Sequence, residues 1–404
     1  MSIRLNPNMM REMKDFGLKD AHKCYNCGNC TGICPLATPE NPFPRKMVRY
    51  FQLGQATKLL ESPEPWLCYY CGDCSVHCPR GADPAEAMMV SRRYLTASYD
   101  WTGFARRFYT SEAFEIAAVT IVGILVGLGL LLWWATAPNP NYQHPMINTI
   151  WSAEGIEKAD LLMASILSFF LLSNVYRCVR IILGDLWGNI PLRVYASELK
   201  LLLTHFLTQK QFSKCSDRHQ WFVHLMIMTG YASVFLMVVA FIAGPIPLFW
   251  QSEAWRFQRD WPEYNFFHPI RLLGYYATFA ILYGTTYALI GRLRKSKPVY
   301  KNSHGTDWTF LILLQLTTLT GILVHFTRIL DMAVATYVIY VVHMMVAVPM
   351  LVLEVPFAKW AHLAYRPVVF YLLKVKENYN RETAKSHFSS VADEVAMSKQ
   401  TPSV

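Results

Sequence analysis

The chain has 404 residues, of which 53% are hydrophobic and 16% charged, and its mean hydropathy is +0.19. This composition is too apolar for an ordinary soluble protein and indicates membrane-spanning helices. The formal net charge of +10 does not indicate a nucleic-acid-binding protein, because the basic residues lie in short loops between apolar runs, where the positive-inside rule places them.

Eight cysteines between residues 24 and 78 form two copies of the pattern C-x₂-C-x₂-C-x₃-C-P. This is the bacterial ferredoxin pattern, in which three thiolates of a run hold one cluster and the fourth, which precedes proline, holds the other. The pattern therefore predicts two [4Fe-4S] clusters. The first is assigned to Cys24, Cys27, Cys30 and Cys78, and the second to Cys68, Cys71, Cys74 and Cys34.

Structural zinc and disulfides are the alternatives for these cysteines. Zinc sites usually take their thiolates as two C-x₂₋₄-C pairs, so two complete ferredoxin runs argue against zinc. Disulfides need an oxidising compartment, and residues 1–17 lack the apolar core of a secretion signal. We therefore expect the cluster domain, residues 1–100, to lie in the cytoplasm.

The cluster domain is predicted to be α-helical. A short helix is expected between the two runs, opened by Pro44 and closed by Gly54, and a second helix from Pro84 to about Tyr94. No alternation of Val and Ile indicates strands, so we expect an α-helical two-cluster ferredoxin and not the βαβ type. The aromatic and basic stretch 101–112 is typical of a helix at the membrane interface, and an ordinary surface linker is an equal alternative.

Six apolar segments follow, each long enough to cross a bilayer as a helix. They cover about residues 113–136, 161–184, 221–244, 269–291, 308–328 and 333–358. The loops 185–220 and 292–307 contain ten Lys and Arg residues, and the loops 137–160 and 245–268 contain three, which places both chain ends in the cytoplasm. The predicted fold class is all-α: the cluster domain, the linker, a six-span transmembrane bundle over 113–376 and a polar tail over 377–404.

Histidines inside a membrane are candidates for function, because polar side chains are costly there. Two neutral imidazoles at the same depth on facing helices hold haem b. His224, near the inner start of the third span, and His362, just beyond the sixth, lie at matching depth on the cytoplasmic side. They predict an inner haem, with His219 as an alternative ligand.

His343, in the sixth span, predicts a second haem nearer the outer face. Its partner is either His325 in the fifth span or His268 at the outer start of the fourth. For each histidine, an interhelical hydrogen bond is the alternative role. Cys178 is expected to be a core residue and Cys215 a loop residue, since neither has cluster spacing.

Two known protein types share these motifs. The stretch 66–84, WLCYYCGDCSVHCPRGADP, resembles the C subunit of heterodisulfide reductases. The membrane half, ending with PFAKWAH at 356–362, resembles the cytochrome b subunit of those enzymes (their E subunit) and the gamma subunit of respiratory nitrate reductases. In that family the last span supplies one histidine to each of two stacked haems, and His343 and His362 match this pair. His224 matches the first histidine of the earlier ligand helix, but the second would fall near Val234 and is missing, which is why His325 is considered.

The fusion of both modules in one chain is similar to the C subunit of the quinone-interacting membrane-bound oxidoreductase (Qmo) complexes of sulfate reducers. This resemblance implies menaquinone as a cofactor and soluble flavin and iron–sulfur partners, the A and B subunits of Qmo, which resemble the A subunit of heterodisulfide reductase. It also implies adenylylsulfate reductase as the eventual electron acceptor. We thus expect a membrane electron-transfer subunit that passes electrons between menaquinol and its partners through haem b and the two clusters.

Other functions remain as alternatives. The chain could belong to a heterodisulfide-reductase-like or sulfite-reduction-associated menaquinol oxidoreductase, or be a haem-free membrane anchor for a ferredoxin domain. No G-x-G-x-x-G or P-loop motif indicates a nucleotide site. The Cys-Cys-Gly motif of catalytic heterodisulfide reductase subunits is also missing, so we expect an electron carrier without a substrate-reducing site. No catalytic residue is assigned, and Arg328 and Asp331 near the outer turn either line a quinone pocket or form a boundary pair.

Overall fold

The computed structural model of the chain describes residues 5–242, 267 and 269–398. Within these residues the fold is helical and contains no strand, which confirms the all-α fold class. The α-helices are α1 (Met9–Asp15), α2 (Asn29–Gly32), α3 (Arg45–Leu53), α4 (Ala56–Leu60), α5 (Glu64–Leu67), α6 (Asp73–Val76), α7 (Pro84–Tyr99), α8 (Phe104–Thr110), α9 (Glu112–Ala135), α10 (Ala153–Leu183), α11 (Leu192–Thr208), α12 (Arg218–Ile242), α13 (Pro269–Leu293), α14 (Gly305–Ile329), α15 (Ala333–Pro349), α16 (Val355–Phe357) and α17 (His362–Ser398).

Both helices predicted in the cluster domain are present. Helix α3 follows Pro44 and ends at Gly54, which has a left-handed backbone with φ of 67°. A Cβ at this position would lie 2.3 Å from the carbonyl oxygen of Asn6, so only glycine fits here. Helix α7 begins at Pro84, where the Asp83 carboxylate accepts a hydrogen bond from the Glu86 amide at 3.3 Å. It continues to Tyr99, beyond the predicted end.

Helix α7 connects the cluster domain to the membrane half. Fourteen of its sixteen residues are buried, so it has no solvent face and lies in the interior of the molecule. Its Leu95 and Tyr99 share a core with Trp66 of α5 and Tyr365 of α17. The Trp66 and Tyr365 rings have centroids 5.2 Å apart, and those of Tyr99 and Tyr365 are 5.3 Å apart. The two halves of the chain are therefore packed together through aromatic contacts.

Five helices of the described region are long and apolar enough to cross a membrane: α9, α10, the described part of α12, α14, and α15 with the residues up to Phe357. Large apolar side chains on α9 point outward, among them Leu125 and Leu132, which are 62% and 68% exposed. Such an exposed apolar surface fits lipid and not water. The fourth predicted span is the continuous helix α13, which contains four tyrosines and three threonines and is not among these five. A membrane crossing by α13 stays a prediction.

The last predicted span is interrupted. Helix α15 ends at Pro349 and is followed by a π-helical turn over Met350–Glu354 and by the short α16. The backbone then breaks at Ala358, and α17 begins at His362. Proline removes a helical hydrogen-bond donor, which explains the predicted kink in this region. His343 and His362 consequently lie on separate helices. Helix α17 continues to Ser398, so most of the predicted polar tail is helical.

Candidate functional site

The two cysteine runs adopt the same local backbone. Gly28 and Gly72 have φ of 90° and 92°, and each is followed by a single helical turn, α2 or α6. Asn26 and Tyr70, between the first two cysteines of each run, also have positive φ of 58° and 59°. These turns aim backbone N–H groups at sulfur: the Tyr70 amide donates to Cys68 Sγ at 3.3 Å. The repeated sequence thus produces two equivalent thiol loops.

Thiols of the two cysteine runs lie close to one another, and the cross-pairing of the runs stays a prediction. Burial raises the pKa of Cys30, and the neighbouring thiols of Cys24, Cys27 and Cys78 raise it further. Burial likewise raises the pKa of Cys34 to about 11, and here the neighbours are Cys68 and Cys71 of the other run. Cys74 lies with Cys34, Cys68 and Cys71 and is also near Cys30. Cys34 therefore lies beside the first three cysteines of the second run, and Cys78 lies beside Cys30 of the first.

The chemistry of these groups suits iron–sulfur clusters. None of the ten cysteines, all in the described part of the chain, forms a disulfide. Among the described residues, no three His, Cys, Asp or Glu side chains converge closely enough to hold a single metal ion. Buried thiols with raised pKa values need positive iron to become thiolates, as they do when a cluster binds. Four thiols per group is the number that a [4Fe-4S] cluster takes.

His224 and His362 face each other at a distance that suits bis-histidine ligation. Their ring centroids are 6.3 Å apart, with an angle of 63° between the ring planes. With about 2 Å per metal–imidazole bond and about 1.1 Å from nitrogen to ring centre, two imidazoles on opposite sides of one metal have centroids about 6.2 Å apart. The pair predicted from sequence depth is therefore brought together across α12 and the start of α17.

Hydrogen bonds orient both imidazoles. His224 Nδ1 donates to the side-chain oxygen of Gln209 at 2.7 Å, and His362 Nδ1 donates to the carbonyl of Lys359. Gln209 occupies the left-handed position, φ 48°, at the end of α11, which directs its side chain toward α12. Because both acceptors are oxygens, each Nδ1 carries the proton and Nε2 is left as the metal-binding nitrogen.

A cavity of about 190 Å³ adjoins the pair, and its charge suits an anionic group. Arg92, Arg366 and Lys359 line it together with both histidines. Burial and the nearby Arg366 lower the pKa of Arg92 to about 9. Two buried donors in the wall, Arg92 Nη2 and Trp360 Nε1, have no hydrogen-bond partner among the described residues. Haem b carries two propionates, which such donors and cations bind, so the residues present fit this cofactor.

The second cysteine loop is in direct contact with the His362 helix. Arg366, one turn after His362, donates to the carbonyls of Cys68 at 2.9 Å and Trp66 at 3.1 Å. Its guanidinium lies 4.3 Å from the Tyr69 ring centroid. Tyr69 and Tyr70, which separate Cys68 from Cys71, both line the cavity beside the histidines. The candidate haem site and the second candidate cluster site are therefore neighbours.

The two histidines of the predicted outer pair have different hydrogen-bond partners. His343 Nδ1 lies 2.9 Å from the Thr320 hydroxyl, and a Cβ on Gly321 would meet its ring at 3.2 Å, so His343 packs directly on α14. His325, one turn farther along α14 than Gly321, bonds to the Tyr275 hydroxyl at 2.8 Å. His268 lies outside the described residues, and an outer haem stays a prediction.

Several other predicted residues have defined neighbours. His219, the alternative inner ligand, packs against Tyr287 with centroids 4.8 Å apart and is not part of the facing pair. Asp331 bonds to His144 Nδ1 at 2.9 Å, so this outer-turn carboxylate has a partner in the loop before α10. Cys178 is a buried core residue, as expected.

No sequence pattern indicated Gln209, Arg366 or the position of Cys215 as part of the site. The Cys215 thiol is buried beside Cys71, in a small core with Tyr69 and Phe212. Next to it, the Ser216 hydroxyl donates to the Asp73 carboxylate at 2.7 Å, which ties this loop to the second cysteine run. An arginine on the inner side of a membrane helix is also expected from topology alone, so nothing in the sequence distinguished Arg366.

Comparison with known proteins agrees with the N-terminal site. Residues 23–82 match a protein family described as a 4Fe-4S dicluster domain. The chain is 35% identical over 88 residues to a protein of Archaeoglobus profundus that is named as similar to the C subunit of heterodisulfide reductase, covering 22% of this chain and 47% of that protein. It is 27% identical over 126 residues to the iron–sulfur C subunit of the CoB–CoM heterodisulfide reductase of Methanopyrus kandleri, covering 29% of this chain and 61% of that protein.

The chain thus spans between 47% and 61% of the length of these two relatives. No solved structure matches it. The N-terminal part is an iron–sulfur electron-transfer domain related to the C subunit of heterodisulfide reductase. It is followed by helices long and apolar enough to cross a membrane.

Proposed function

We propose that this chain is the membrane electron-transfer subunit of a quinone-interacting oxidoreductase. The observation that carries the proposal is the contact between the two redox sites: Arg366 of the His362 helix bonds to the Cys68 carbonyl, and one cavity extends from His224 and His362 to Tyr69 and Tyr70. A carrier in each site would lie close to the other, so an electron would pass between them without diffusion of either carrier.

In this proposal each cofactor is held by a defined set of residues. Cys24, Cys27, Cys30 and Cys78 hold one [4Fe-4S] cluster, and Cys68, Cys71, Cys74 and Cys34 hold the other. His224 and His362 hold an inner haem b, with Gln209 and the Lys359 carbonyl fixing the imidazoles. Arg92 and Arg366 neutralise the haem carboxylates. His343 and His325 stay the candidate ligands of an outer haem.

When bound, haem b and the clusters supply one-electron carriers that split the two-electron oxidation of a quinol into single steps. The protein excludes water by burying the space between the sites among aromatic residues such as Trp66 and Tyr69. It also fixes the relative position of the two sites through Arg366. Menaquinol is the proposed donor, and the direction of flow is set by the potentials of donor and acceptor, since the same path carries electrons either way.

The proposed partners follow from the relatives and from the fused architecture. The relative from Methanopyrus kandleri is an iron–sulfur subunit of heterodisulfide reductase, which favours docking of this chain to further reductase subunits. We propose soluble flavin and iron–sulfur partners like the A and B subunits of Qmo, with adenylylsulfate reductase downstream. The cluster domain and α17 would lie on the cytoplasmic side of the inner membrane, where such partners are found.

A reduced-minus-oxidised visible spectrum of the purified protein tests the proposal, with haem, iron and acid-labile sulfide assayed on the same sample. We expect haem b and about eight cluster irons per chain, since each cluster contains four. Variants H224A and H362A should lose the inner haem and keep the cluster irons. The matched control is H219A, a nearby histidine outside the facing pair, which should keep both.

Each other outcome has a defined meaning. A protein with cluster iron but no haem would be an anchor for a ferredoxin domain, and the quinol proposal would be refuted. Loss of haem in H219A but not in H224A would show that the ligands are wrongly assigned. Absence of cluster iron in a freshly purified anaerobic sample would contradict the iron–sulfur assignment itself.

A further inference from the structure

Two fully buried carboxyl groups meet at the inner end of the membrane half, outside the cysteine loops and the histidine pair. Glu115 lies in the first turns of α9, and Glu354 ends the π-helical turn that follows α15; both are 0% exposed. The two carboxyl groups interact directly with each other. None of their four oxygens is in a hydrogen bond with another described residue. The Thr309 hydroxyl, which donates to the Gly305 carbonyl at 3.3 Å, also lies next to Glu115.

Within the described part of the chain, no cation neutralises this carboxyl pair. The charged or titratable groups that face it from the adjoining elements are Glu112, Tyr109, Asp307 and, beyond Tyr109, His304. Lys359 and Arg93 form ion pairs with Asp307, and the Arg107 guanidinium packs on the ring of Phe114, 5.6 Å from its centroid. Two buried carboxylates without a cation are strongly unfavourable, whereas a pair that shares a proton gains a hydrogen bond and loses one charge. The pair is therefore a proton-binding site.

The carboxyl pair is close to the redox sites. Tyr109, which interacts with both carboxyls, lines the same cavity as His224 and His362, and so do Asp307 and Lys359. From Asp307 the ionisable side chains continue through Arg93 to Glu86 and to the Tyr70 hydroxyl, which bonds to Glu86 at 2.7 Å. A charge that arrives in this cavity changes the electrostatic potential at the pair, because little water is present to screen it.

The local helix geometry is a second, independent indication that Glu354 has a functional role. A π-helical turn is rare and less favourable than continued α-helix, and such turns occur frequently at functional sites. Here the turn Met350–Glu354 rotates the end of the helix and places Glu354 in the interior, where its carboxyl meets that of Glu115. Without the additional residue of the turn, the side chain at 354 would point in a different direction.

We propose that Glu115 and Glu354 form a proton-exchanging pair whose protonation follows the redox state of the neighbouring electron carrier. The pair holds one proton while the carrier is oxidised. When the carrier gains one electron from the quinol side, the pair takes up one further proton from the cytoplasmic side; when the electron moves on, that proton is released. One electron and one proton thus arrive together, and one of each departs. This proposal rests on the proposed function in that it needs a redox carrier in the cavity.

The test is infrared difference spectroscopy of the detergent-solubilised holoprotein, reduced minus oxidised, in H₂O and in D₂O. We expect a carboxylic acid C=O band that appears on reduction and shifts in D₂O. The variants E115Q and E354Q, which mimic the neutral acid in size, should remove this band. The matched control is E112Q, one turn earlier on the same helix and exposed to solvent, which should leave it unchanged.

A second readout is the midpoint potential of the carrier as a function of pH. In the wild type it should fall as pH rises, because the reduced state binds more protons, and E354Q and E115Q should flatten this dependence whereas E112Q should not. A wild-type protein that is reduced reversibly but shows no carboxylic acid band overturns the proton proposal and leaves the proposed function intact. Survival of the band in both Gln variants would likewise overturn the proton proposal and leave the proposed function intact. A wild type with no redox-active carrier refutes the proposed function first.

Discussion

Arg366 offers the sharpest test of how the two proposed redox sites are held together. Replacing it with methionine keeps most of the side-chain volume but removes the charged donor of two hydrogen bonds, to the Cys68 and Trp66 carbonyls. Hydrogen bonds from a charged donor contribute about 1.5–3 kcal/mol each, so the two together contribute about 3–6 kcal/mol. The loss of these hydrogen bonds is partly offset, because Arg366 is a buried cation and its removal also removes the cost of burying its charge.

We expect a net weakening of the loop contact by about 3 kcal/mol. This raises the population of the opened loop, and therefore amide hydrogen exchange in residues 66–72, by about 100-fold. Hydrogen-exchange mass spectrometry of the holoprotein measures this directly. Stopped-flow absorbance at the haem and cluster bands should show slower electron transfer between the two in R366M.

The matched control for R366M is R177M. Arg177 also donates to a backbone carbonyl, that of Tyr99 at 2.8 Å, but it lies on α10 and makes no hydrogen bond to residues 66–72. R177M should leave exchange in residues 66–72 and electron transfer unchanged. Wild-type exchange in this loop together with wild-type electron transfer in R366M would show that Arg366 does not hold the sites together. The contact that supports the proposed function would then have no role in electron transfer.

Four further predictions concern stability and cluster environment. G54A should destabilise the cluster domain by at least about 1 kcal/mol, measured by thermal unfolding, because alanine tolerates neither the positive φ nor the 2.3 Å approach to Asn6; an unchanged midpoint would contradict this. Y337F should lower stability by about 1–2 kcal/mol, since its hydroxyl donates to the Asn141 carbonyl at 2.5 Å and accepts from the Met146 amide at 3.0 Å. Burial and Arg366 lower the pKa of His205 to about 4. As pH drops from about 6.5 to 4, the unfolded chain therefore binds a proton at His205 before the folded chain does, and the free energy of unfolding should fall. H205Q should reduce this pH-dependent loss of stability, which denaturation at several pH values measures. C215S should keep both clusters but alter the electron paramagnetic resonance spectrum of the second, because Cys215 lies beside Cys71; loss of that cluster would instead make Cys215 a ligand.

Local sequence patterns predicted those features that local chemistry determines. The helices predicted from such patterns are present. The patterns are the cysteine spacing, the proline and glycine around α3 and the apolar runs, and each depends on residues that are close in sequence. Matching depth in a membrane also predicted that His224 and His362 meet, because two spans of known direction constrain the relative height of their residues.

The remaining features depend on contacts between distant parts of the chain. Arg366 and Cys68 are 298 residues apart, and no periodicity connects them. Glu354 is buried against Glu115 only because a π-helical turn changes the direction of its side chain, which a regular helical wheel does not represent. The predicted pairing of His325 with His343 rests on depth alone and stays a prediction, and no sequence pattern indicated the close packing of α15 on α14 at Gly321.

The contact between α17 and the cysteine loop also affects the order in which the protein is completed. During synthesis, Cys68 leaves the ribosome 298 residues before Arg366, the side chain that later covers its loop. At about 5–20 residues per second, this interval lasts about 15–60 s. Throughout that time Trp66 lacks the aromatic partner Tyr365, and the second cysteine run is not yet covered by α17. The nascent chain thus has a period in which iron and sulfide can be loaded, and insertion of the last helices ends it.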